Sequence, residues 1–313
     1  MVKGKQISGI RISYSSSNVF QGCQRKFYHQ KVRKTEPDTD RIDDGKALRI
    51  GKAFHEVLEL CKHSNSILSN SHYKKSFQNN EVDNPTEQGL IVAMVRKYIS
   101  LHERTNLKVV GIEIEIGDRI NYIGFIDVVL ADVHGNWWIV DLKTAARLNT
   151  SLLSRLSRDP QLNIYSYFAN EVAEKCKLDL EKFQGVRYRV TTKSSIKKNP
   201  KESFSGYVKR CSDRMESYDI AVPKDKLIPK KVYAHFMNLL KQMRNLENIS
   251  EEEVPQNFTY CETYFKPCEY WSQCYGKTFT ENAEQYEIFD TDNIGDLTAH
   301  ASNVEEYEDL DFL

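Results

Sequence analysis

Residues 121–143, NYIGFIDVVLADVHGNWWIVDLK, predict a β-hairpin. The first ten residues alternate and are rich in Ile and Val, and residues 137–143 form a second apolar run, so both segments are expected to be strands. The residues DVHGN (132–136) between them are typical of a turn. A turn centred on His134 places Asp127 directly opposite Asp141 on the neighbouring strand.

Two carboxylates in such a position have Cβ atoms about 4.5–5.5 Å apart, which is destabilising unless a cation lies between them. Lys143 follows Asp141 by two residues and therefore projects to the same face. This set predicts a metal-dependent phosphodiesterase, in which the ion polarises water and the lysine orients or deprotonates it, or stabilises the transition state. The alternative is a surface hairpin with Asp–Lys ion pairs, but the apolar surroundings favour the metal site.

Three further residues are candidates for the same site. His55 lies in the predicted helix 46–61, where an imidazole ligand would favour Mn²⁺ over Mg²⁺. Gln161 and Tyr165 share one face of the predicted helix 159–176, which has Asp159 as its N-cap and Pro160 at the first position. They could hydrogen-bond phosphates or stack on a base, although spacing alone favours a buried Tyr and a solvated Gln.

Four of the seven cysteines form a second constellation. Cys261, Cys268 and Cys274 are clustered among aromatic residues, and Cys23, in the Ser-capped helix predicted over 13–32, is the leading fourth partner. Four thiolates suit an iron–sulfur cluster or structural Zn²⁺, but the tight pair usual in zinc sites is absent. Cys61 and Cys176 are predicted to be buried or incidental, and Cys211 has no clear context.

Composition predicts a globular chain, with 28% charged and 40% hydrophobic residues and a net charge of zero. Basic residues are concentrated in 1–35 and 187–210, and acidic residues in 281–313. The basic segments could neutralise phosphates or simply form solvated faces. With no apolar run of membrane-spanning length and no signal-peptide core, we expect a soluble cytoplasmic protein of a bacterial, archaeal or phage-infected cell.

The order of predicted elements is helices, an antiparallel meander over 108–143, a helix, a strand at 185–192 and a helix at 229–248. This order predicts a mixed α/β layer fold. The motifs His55, GFID (124–127), DLK (141–143) and QLNIY (161–165) resemble, in this order, those of the PD-(D/E)XK nuclease superfamily. They are most similar to its RecB-like branch, and the cysteine frame is similar to that branch's iron–sulfur members, which include CRISPR-associated exonucleases and the AddB nuclease domain.

The resemblance, which covers roughly residues 13–276, implies a restriction-endonuclease-like core with a mixed central sheet and an iron–sulfur lobe that joins the chain ends. It implies that His55, Asp127, Asp141 and the Leu142 carbonyl bind Mn²⁺ or Mg²⁺. Lys143 would be the catalytic lysine, and Gln161 and Tyr165 would position DNA. Cys23, Cys261, Cys268 and Cys274 would hold a 4Fe-4S cluster, although six residues separate the second and third cysteines where many members have two.

We therefore expect a DNA exonuclease that acts on single strands or DNA ends in recombination, repair or phage DNA metabolism. A helicase or recombination protein is the candidate partner. The alternatives are a DNA-binding scaffold of a recombination or CRISPR spacer-acquisition complex, and a zinc-bearing endonuclease. The expected divisions are an N-terminal helix segment (1–45), the nuclease core (46–250), a cysteine-rich segment (251–278) and an acidic disordered tail (279–313). That tail could also cover the protein's own DNA channel or dock on a partner.

Overall fold

A computed structural model describes residues 9–38, 45–64, 66–148, 150–263 and 266–277. The segment 279–313, predicted to be a disordered acidic tail, lies outside the described residues. Among the described residues, no helix is long and apolar enough to cross a membrane.

A five-stranded mixed sheet forms the centre of the fold, with the strands in sequential order. Its strands are β1 (Lys108–Gly117), β2 (Ile123–Ala131), β3 (Trp137–Ala145), β4 (Phe183–Thr192) and β5 (Ser217–Pro223). β3 and β4 are parallel and the other neighbours are antiparallel. A parallel step requires a crossover, which the helices between β3 and β4 provide. The predicted meander and mixed sheet are confirmed.

Helices cover both faces of this sheet. Before it come α1 (Tyr14–Gly22), α2 (Gln24–Phe27), a π-helical turn (Tyr28–Arg33), α3 (Lys46–Leu60), α4 (Asn70–Asn79) and α5 (Pro85–Glu103). Later in the chain are α6 (Thr150–Leu153), α7 (Pro160–Tyr167), α8 (Ala169–Cys176), α9 (Phe204–Asp213), α10 (Pro229–Asn245), the short strands β6 (Glu262–Thr263) and β7 (Lys266–Pro267), and α11 (Trp271–Tyr275).

Two predicted helices are divided in the structure. The helix predicted over 13–32 begins at the Ser13 cap as expected but breaks at Cys23, whose backbone is extended. The helix predicted over 159–176 begins with the Asp159 cap and Pro160 as expected, and divides at Phe168 into α7 and α8. The break at Cys23 leaves its thiol at a helix junction rather than on a continuous helix face.

Each face of the sheet has its own apolar core. α7, α8 and α10 pack on one face over residues that include Ile126 and Ile139, while α3, α5 and α9 pack on the other over Val128 and Val140. Strict alternation would place Ile126 and Val128 on the same face. They pack in different cores, so the alternation of β2 is interrupted between them, at Asp127.

Two segments that are far apart in the chain, around α2 and after α10, meet beside this core. The Arg25 backbone N–H donates to the carbonyl of Pro255 at 3.0 Å, and its guanidinium donates to carbonyls of Glu251, Glu252 and Val254. Lys26 pairs with Glu269 at 3.3 Å, and the rings of His29 and Tyr270 stack. The region around α2 is thus joined to residues 251–274 by contacts that require no metal.

Candidate active site

Asp141 and Lys143 form an ion pair in the candidate site. Both lie on β3, two residues apart, and Lys143 Nζ is 2.8 Å from Asp141 Oδ1. The Asp141 side chain is almost fully buried, whereas that of Lys143 is partly exposed. Asp141 Oδ2 is buried and has no hydrogen-bond partner. The predicted placement of the two side chains on one face is confirmed, and one carboxylate oxygen is left available for a ligand.

A hydrogen-bonded chain connects Lys143 to α7. Lys143 Nζ donates to Gln161 Oε1 at 2.8 Å, and Gln161 Nε2 donates to the Tyr165 hydroxyl at 2.8 Å. The Tyr165 hydroxyl in turn donates to the carbonyl of Phe125 at 2.7 Å. Because the Tyr165 side chain is buried, it acts on the site through these two bonds. The structure therefore connects Gln161 and Tyr165 to Lys143 through one chain of hydrogen bonds.

Asp127 lies where β2 and β3 separate. The predicted register of the hairpin is confirmed from Ala131 opposite Trp137 to Val128 opposite Val140, but the pairing ends there. The expectation that Asp127 and Asp141 form the next direct pair is wrong. Instead, Asp127 Oδ2 accepts the backbone N–H of Leu142 at 2.7 Å. Beyond this point β2 remains paired with β1 and β3 with β4, which leaves a fork between the two strands.

His55 reaches this fork from α3. Its Nδ1 is 3.8 Å from Asp127 Oδ1, and its side chain is partly exposed. Burial and the nearby Lys143 ammonium lower the pKa of His55 to about 4, against a smaller opposing effect of Asp141. The imidazole is therefore neutral at neutral pH, which is the form that binds metals. His55 thus lies beside Asp127, and its role as a metal ligand stays a prediction.

Burial dominates the electrostatics of both aspartates. It raises the pKa of Asp127 despite the nearby Lys143 ammonium and the hydrogen bond from Leu142. It also raises the pKa of Asp141, with an additional increase from Asp127. Conversely, the two carboxylates raise the pKa of Lys143 against the opposing effect of burial. Lys143 therefore remains a cation, which suits charge stabilisation better than proton abstraction.

Two acidic residues that were not predicted lie near the site: Glu113 beside Asp127, and Glu59 beside Glu113. The β1–β2 register pairs Ile112 with Val128 and Ile114 with Ile126, which places Glu113 across from Asp127. Local burial, followed by the carboxylates of Asp127 and Glu59, raises the pKa of Glu113 to about 7. The alternation in the segment EIEIG and the four-residue spacing of His55 and Glu59 on α3 are signals that could have identified both residues.

The four predicted cluster cysteines also meet. Cys23, Cys261, Cys268 and Cys274 line one small cavity together with Tyr260, Tyr270, Trp271 and Tyr275. The Asn257 backbone N–H points at Cys23 Sγ at 3.5 Å, and Gln256 Nε2 points at Cys261 Sγ at 3.4 Å. Burial raises the pKa of Cys274 to about 12, and the neighbouring thiols contribute to the increase.

The comparison with known families agrees with this geometry. The sequence profile of the PD-(D/E)XK nuclease superfamily matches residues 11–275. The chain belongs to the PD-(D/E)XK nuclease superfamily. No curated protein matches it. Members of the superfamily are typically metal-dependent nucleases and generally use Mg²⁺ or Mn²⁺.

The donors of this PD-(D/E)XK nuclease suit such an ion chemically. Carboxylate oxygens are the usual ligands of Mg²⁺, and the orphaned Oδ2 of Asp141 lies beside the fork that contains Asp127. As they stand, no three His, Cys, Asp or Glu side chains within the described ranges are close enough to hold an ion. This holds for the acidic site and for the cysteine cavity, so binding in either place requires the donors to move closer together.

Proposed function

We propose that this nuclease is a divalent-metal-dependent deoxyribonuclease that acts as an exonuclease on single-stranded DNA or on DNA ends. The observation that carries the proposal is Asp141, which holds Lys143 through Oδ1 and keeps a buried Oδ2 without a partner. An unpaired carboxylate oxygen away from water is costly, and a bound cation would offset that cost. The superfamily supports the same chemistry.

The ligands in this proposal are Asp127, Asp141, the neutral imidazole of His55 and the Leu142 carbonyl. A bound Mg²⁺ or Mn²⁺ would supply charge neutralisation at the scissile phosphate and lower the pKa of the attacking water. In the reaction the water oxygen forms a bond to phosphorus, the bond from phosphorus to one sugar oxygen breaks, and that oxygen ends protonated. Asp127, through its bond to Leu142, joins the two ligand-bearing strands at the point where their pairing ends.

Lys143 would stabilise the negative charge that develops on the phosphoryl oxygens. Its ammonium is held from two sides, by Asp141 Oδ1 and Gln161 Oε1, each at 2.8 Å. A cation already oriented towards the place where charge develops needs no reorganisation during the reaction. Gln161 and Tyr165 would therefore position DNA indirectly, through Lys143 and through the β2 backbone at Phe125.

Basic residues after β4 would guide the DNA backbone. Lys193 lies directly beyond the end of β4, and Lys197, Lys198 and Lys201 follow in the same loop. β3 and β4 are parallel and paired from Lys143–Val190 to Ala145–Thr192, so this loop begins at the same end of the sheet as Lys143. Lysines in such a place can neutralise phosphates of an approaching strand and make its binding salt-dependent.

The cysteine cavity would hold a 4Fe-4S cluster, with Cys23, Cys261, Cys268 and Cys274 as its ligands. The shared cavity and the N–H groups directed at two of the sulfurs support this, because hydrogen bonds to sulfur tune such clusters. Segments 1–45 and 251–278 would then form an iron–sulfur lobe on a core of residues 46–250. Protein purified without oxygen should be brown and contain iron and sulfide in near-equal amounts. Colourless protein with stoichiometric Zn²⁺ would refute the cluster.

The decisive experiment is cleavage of end-labelled single- and double-stranded DNA in Mn²⁺ or Mg²⁺. We expect Asp141→Ala and Lys143→Ala to abolish cleavage while circular dichroism stays unchanged. Lys226→Ala is a matched control, because Lys226 forms an exposed ion pair with Asp225 and lies outside the basic segments. Undiminished cleavage by either site variant would overturn the assignment. Binding without cleavage by the parent protein would favour the second candidate, a DNA-binding scaffold of a recombination or spacer-acquisition complex.

The biological setting that we propose is DNA recombination, repair or phage DNA metabolism, with a helicase or recombination protein as partner. An exonuclease of this kind needs a supply of unpaired strands, which a helicase generates. A pull-down with the purified protein in the presence of DNA tests for such a partner.

A further inference from the structure

Phe125 is an exposed aromatic residue beside the candidate active site. Its side chain is 47% exposed, although it lies in β2 between Gly124 and the fully buried Ile126. Ile126 packs in the core under α7 and α10, so Phe125 projects to the opposite side of the sheet, the side on which α3 carries His55. Asp127 follows two residues later, roughly 7 Å along the strand.

The backbone of Phe125 is fixed relative to the catalytic lysine. Its carbonyl accepts the Tyr165 hydroxyl, which is joined through Gln161 to Lys143, with each of the three hydrogen bonds 2.7–2.8 Å long. Its cross-strand neighbour is Glu115, which is also exposed. Within the part of the chain that the structure describes, no aromatic ring packs against that of Phe125.

We propose that the Phe125 ring stacks on an unpaired nucleobase next to the scissile phosphate, and that this contact makes the site selective for single-stranded DNA or frayed ends. The inference rests on the proposed nuclease function and specifies its substrate. The faces of a base inside a duplex are covered by its neighbours, so a stacking contact there would first require unstacking. An unpaired base offers its face at lower cost, and every base has such a face.

Stacking predicts a specific pattern of kinetic effects. Loss of one base–aromatic contact should weaken binding about 5- to 150-fold. The chemical step should be nearly unchanged, because the Phe125 side chain is neither a proposed metal ligand nor part of the hydrogen-bonded chain to Lys143. Loss of the aromatic ring should therefore change KM and the affinity for single-stranded DNA. Phe125→Trp should retain binding, because the indole ring also stacks on bases.

The test compares Phe125→Leu and Phe125→Trp with Phe204→Leu, a control at a similarly exposed phenylalanine on α9. Steady-state cleavage in Mn²⁺ is measured on single-stranded and blunt duplex DNA. Base stacking is measured from the fluorescence of 2-aminopurine, which is placed at each position of a single strand in turn. This measurement is made in Ca²⁺, under conditions where no product forms. We expect Phe125→Leu to raise KM for the single strand at least about tenfold, to leave kcat within about twofold, and to lose the quenching of 2-aminopurine fluorescence. Phe204→Leu should match the parent.

Two outcomes overturn the inference while leaving the nuclease assignment intact. One is a Phe125→Leu protein that cleaves single strands with the parent KM and quenches 2-aminopurine normally. The other is an equal loss on single strands and duplexes, which would assign Phe125 a general structural role. A parent protein that cleaves neither substrate would instead contradict the proposed function itself.

Discussion

The carboxylate of Asp127 accepts the backbone N–H of Leu142 at 2.7 Å, at the point where β2 and β3 stop pairing. A side chain thus takes the place that a backbone carbonyl would occupy in a continued ladder. The same carboxylate lies 3.8 Å from His55 through its other oxygen. We therefore expect Asp127 to have two separable roles, one as a strand clamp and one as a charged group of the proposed site.

Replacing Asp127 should separate those roles. Asp127→Asn keeps an acceptor for Leu142 and removes the charge, whereas Asp127→Ala leaves the N–H unpaired at a cost of about 1–3 kcal/mol. The folded-state pKa of Asp127 is raised, so its ionised form is disfavoured in the fold and the neutral amide should be at least as stable as the parent. Urea unfolding without metal measures this. Equal stabilities of the Asn and Ala variants would show that the hydrogen bond to Leu142 does not stabilise the fold. In addition, the cleavage rate of both variants should be more than about 100-fold below that of the parent.

Gln161 should matter for catalysis more than for DNA affinity. Gln161→Ala removes the acceptor that holds Lys143 and the donor to Tyr165. Displacement of a reacting or charge-stabilising group by about 1 Å can cost about 100-fold, so we expect kcat to fall about 10- to 100-fold. Gln78→Ala, at an exposed position on α4, is the control. A change confined to KM would show that Gln161 contacts DNA directly.

The cysteine assignment predicts which thiols are needed for iron. Cys268→Ala should lose the iron and the brown colour and should lower the unfolding temperature, because ligand binding and folding are coupled in such sites. Cys176→Ala should keep the iron content and the unfolding temperature of the parent, since Cys176 lies at the end of α8 beside Gly111, away from the cavity. Iron analysis and thermal unfolding under nitrogen give the answer. Equal iron contents in the two variants would contradict the proposed ligand set.

Acid should destabilise the protein through two buried histidines. Arg189 Nη1 donates to His102 Nδ1 at 3.1 Å, and because arginine has no acceptor, this nitrogen must carry a lone pair. Burial, with smaller contributions from nearby charges, lowers the pKa of His102 to about 4 and that of His63 to about 3. Below the unfolded-state pKa of about 6.5 the unfolded chain binds these protons first, so the contribution of these two histidines to stability falls as pH decreases from 6.5 towards 4. The raised pKa values of Glu113 and Asp141 act in the opposite direction in this range.

His102→Gln tests this pH dependence, since the amide cannot titrate in that range. Each histidine can contribute up to about 1.4 kcal/mol per pH unit to the slope of the unfolding free energy between those limits. Urea unfolding at several pH values from 4.5 to 7.5 should therefore show a smaller rise of the unfolding free energy with pH for the variant than for the parent. Parallel slopes would mean that His102 is not kept neutral by the fold.

Sequence patterns predicted those parts of the molecule in which a local signal agrees with the tertiary contacts. Alternation and turn residues gave the register of β2 and β3, and Asp159 with Pro160 gave the start of α7. The end of the pairing at Asp127 could not be predicted in this way. It depends on a side chain that competes with the backbone for one N–H, and that contact has no periodic signature.

The sequence patterns did not predict α4 and β5, because the apolar patterns of these two elements are weak. α4 is polar, with NSHYKKSFQN as its sequence, and is held by contacts such as the hydrogen bond from Ser76 to the Ala53 carbonyl. β5 is an edge strand of which Val222 alone is fully buried, so it lacks the apolar alternation that predicts strands. Its Asp219 nevertheless holds Arg187 and Arg189 at 2.7 Å each, a network that only the assembled sheet creates.

The contact between Cys23 and Asn257 predicts an order of events during synthesis. Cys23 and Asn257, which are in contact in the folded protein, are 234 residues apart in the chain. At ribosomal speeds of about 5–20 residues per second, the partner segment of Cys23 emerges roughly 10–50 s after Cys23 itself. The sheet, the fork and the lysine site can all form during that interval. The contact between the Cys23 region and residue 257 therefore forms last. A chain interrupted before residue 257 would contain the Asp141–Lys143 site, but its N-terminal segment would lack this contact.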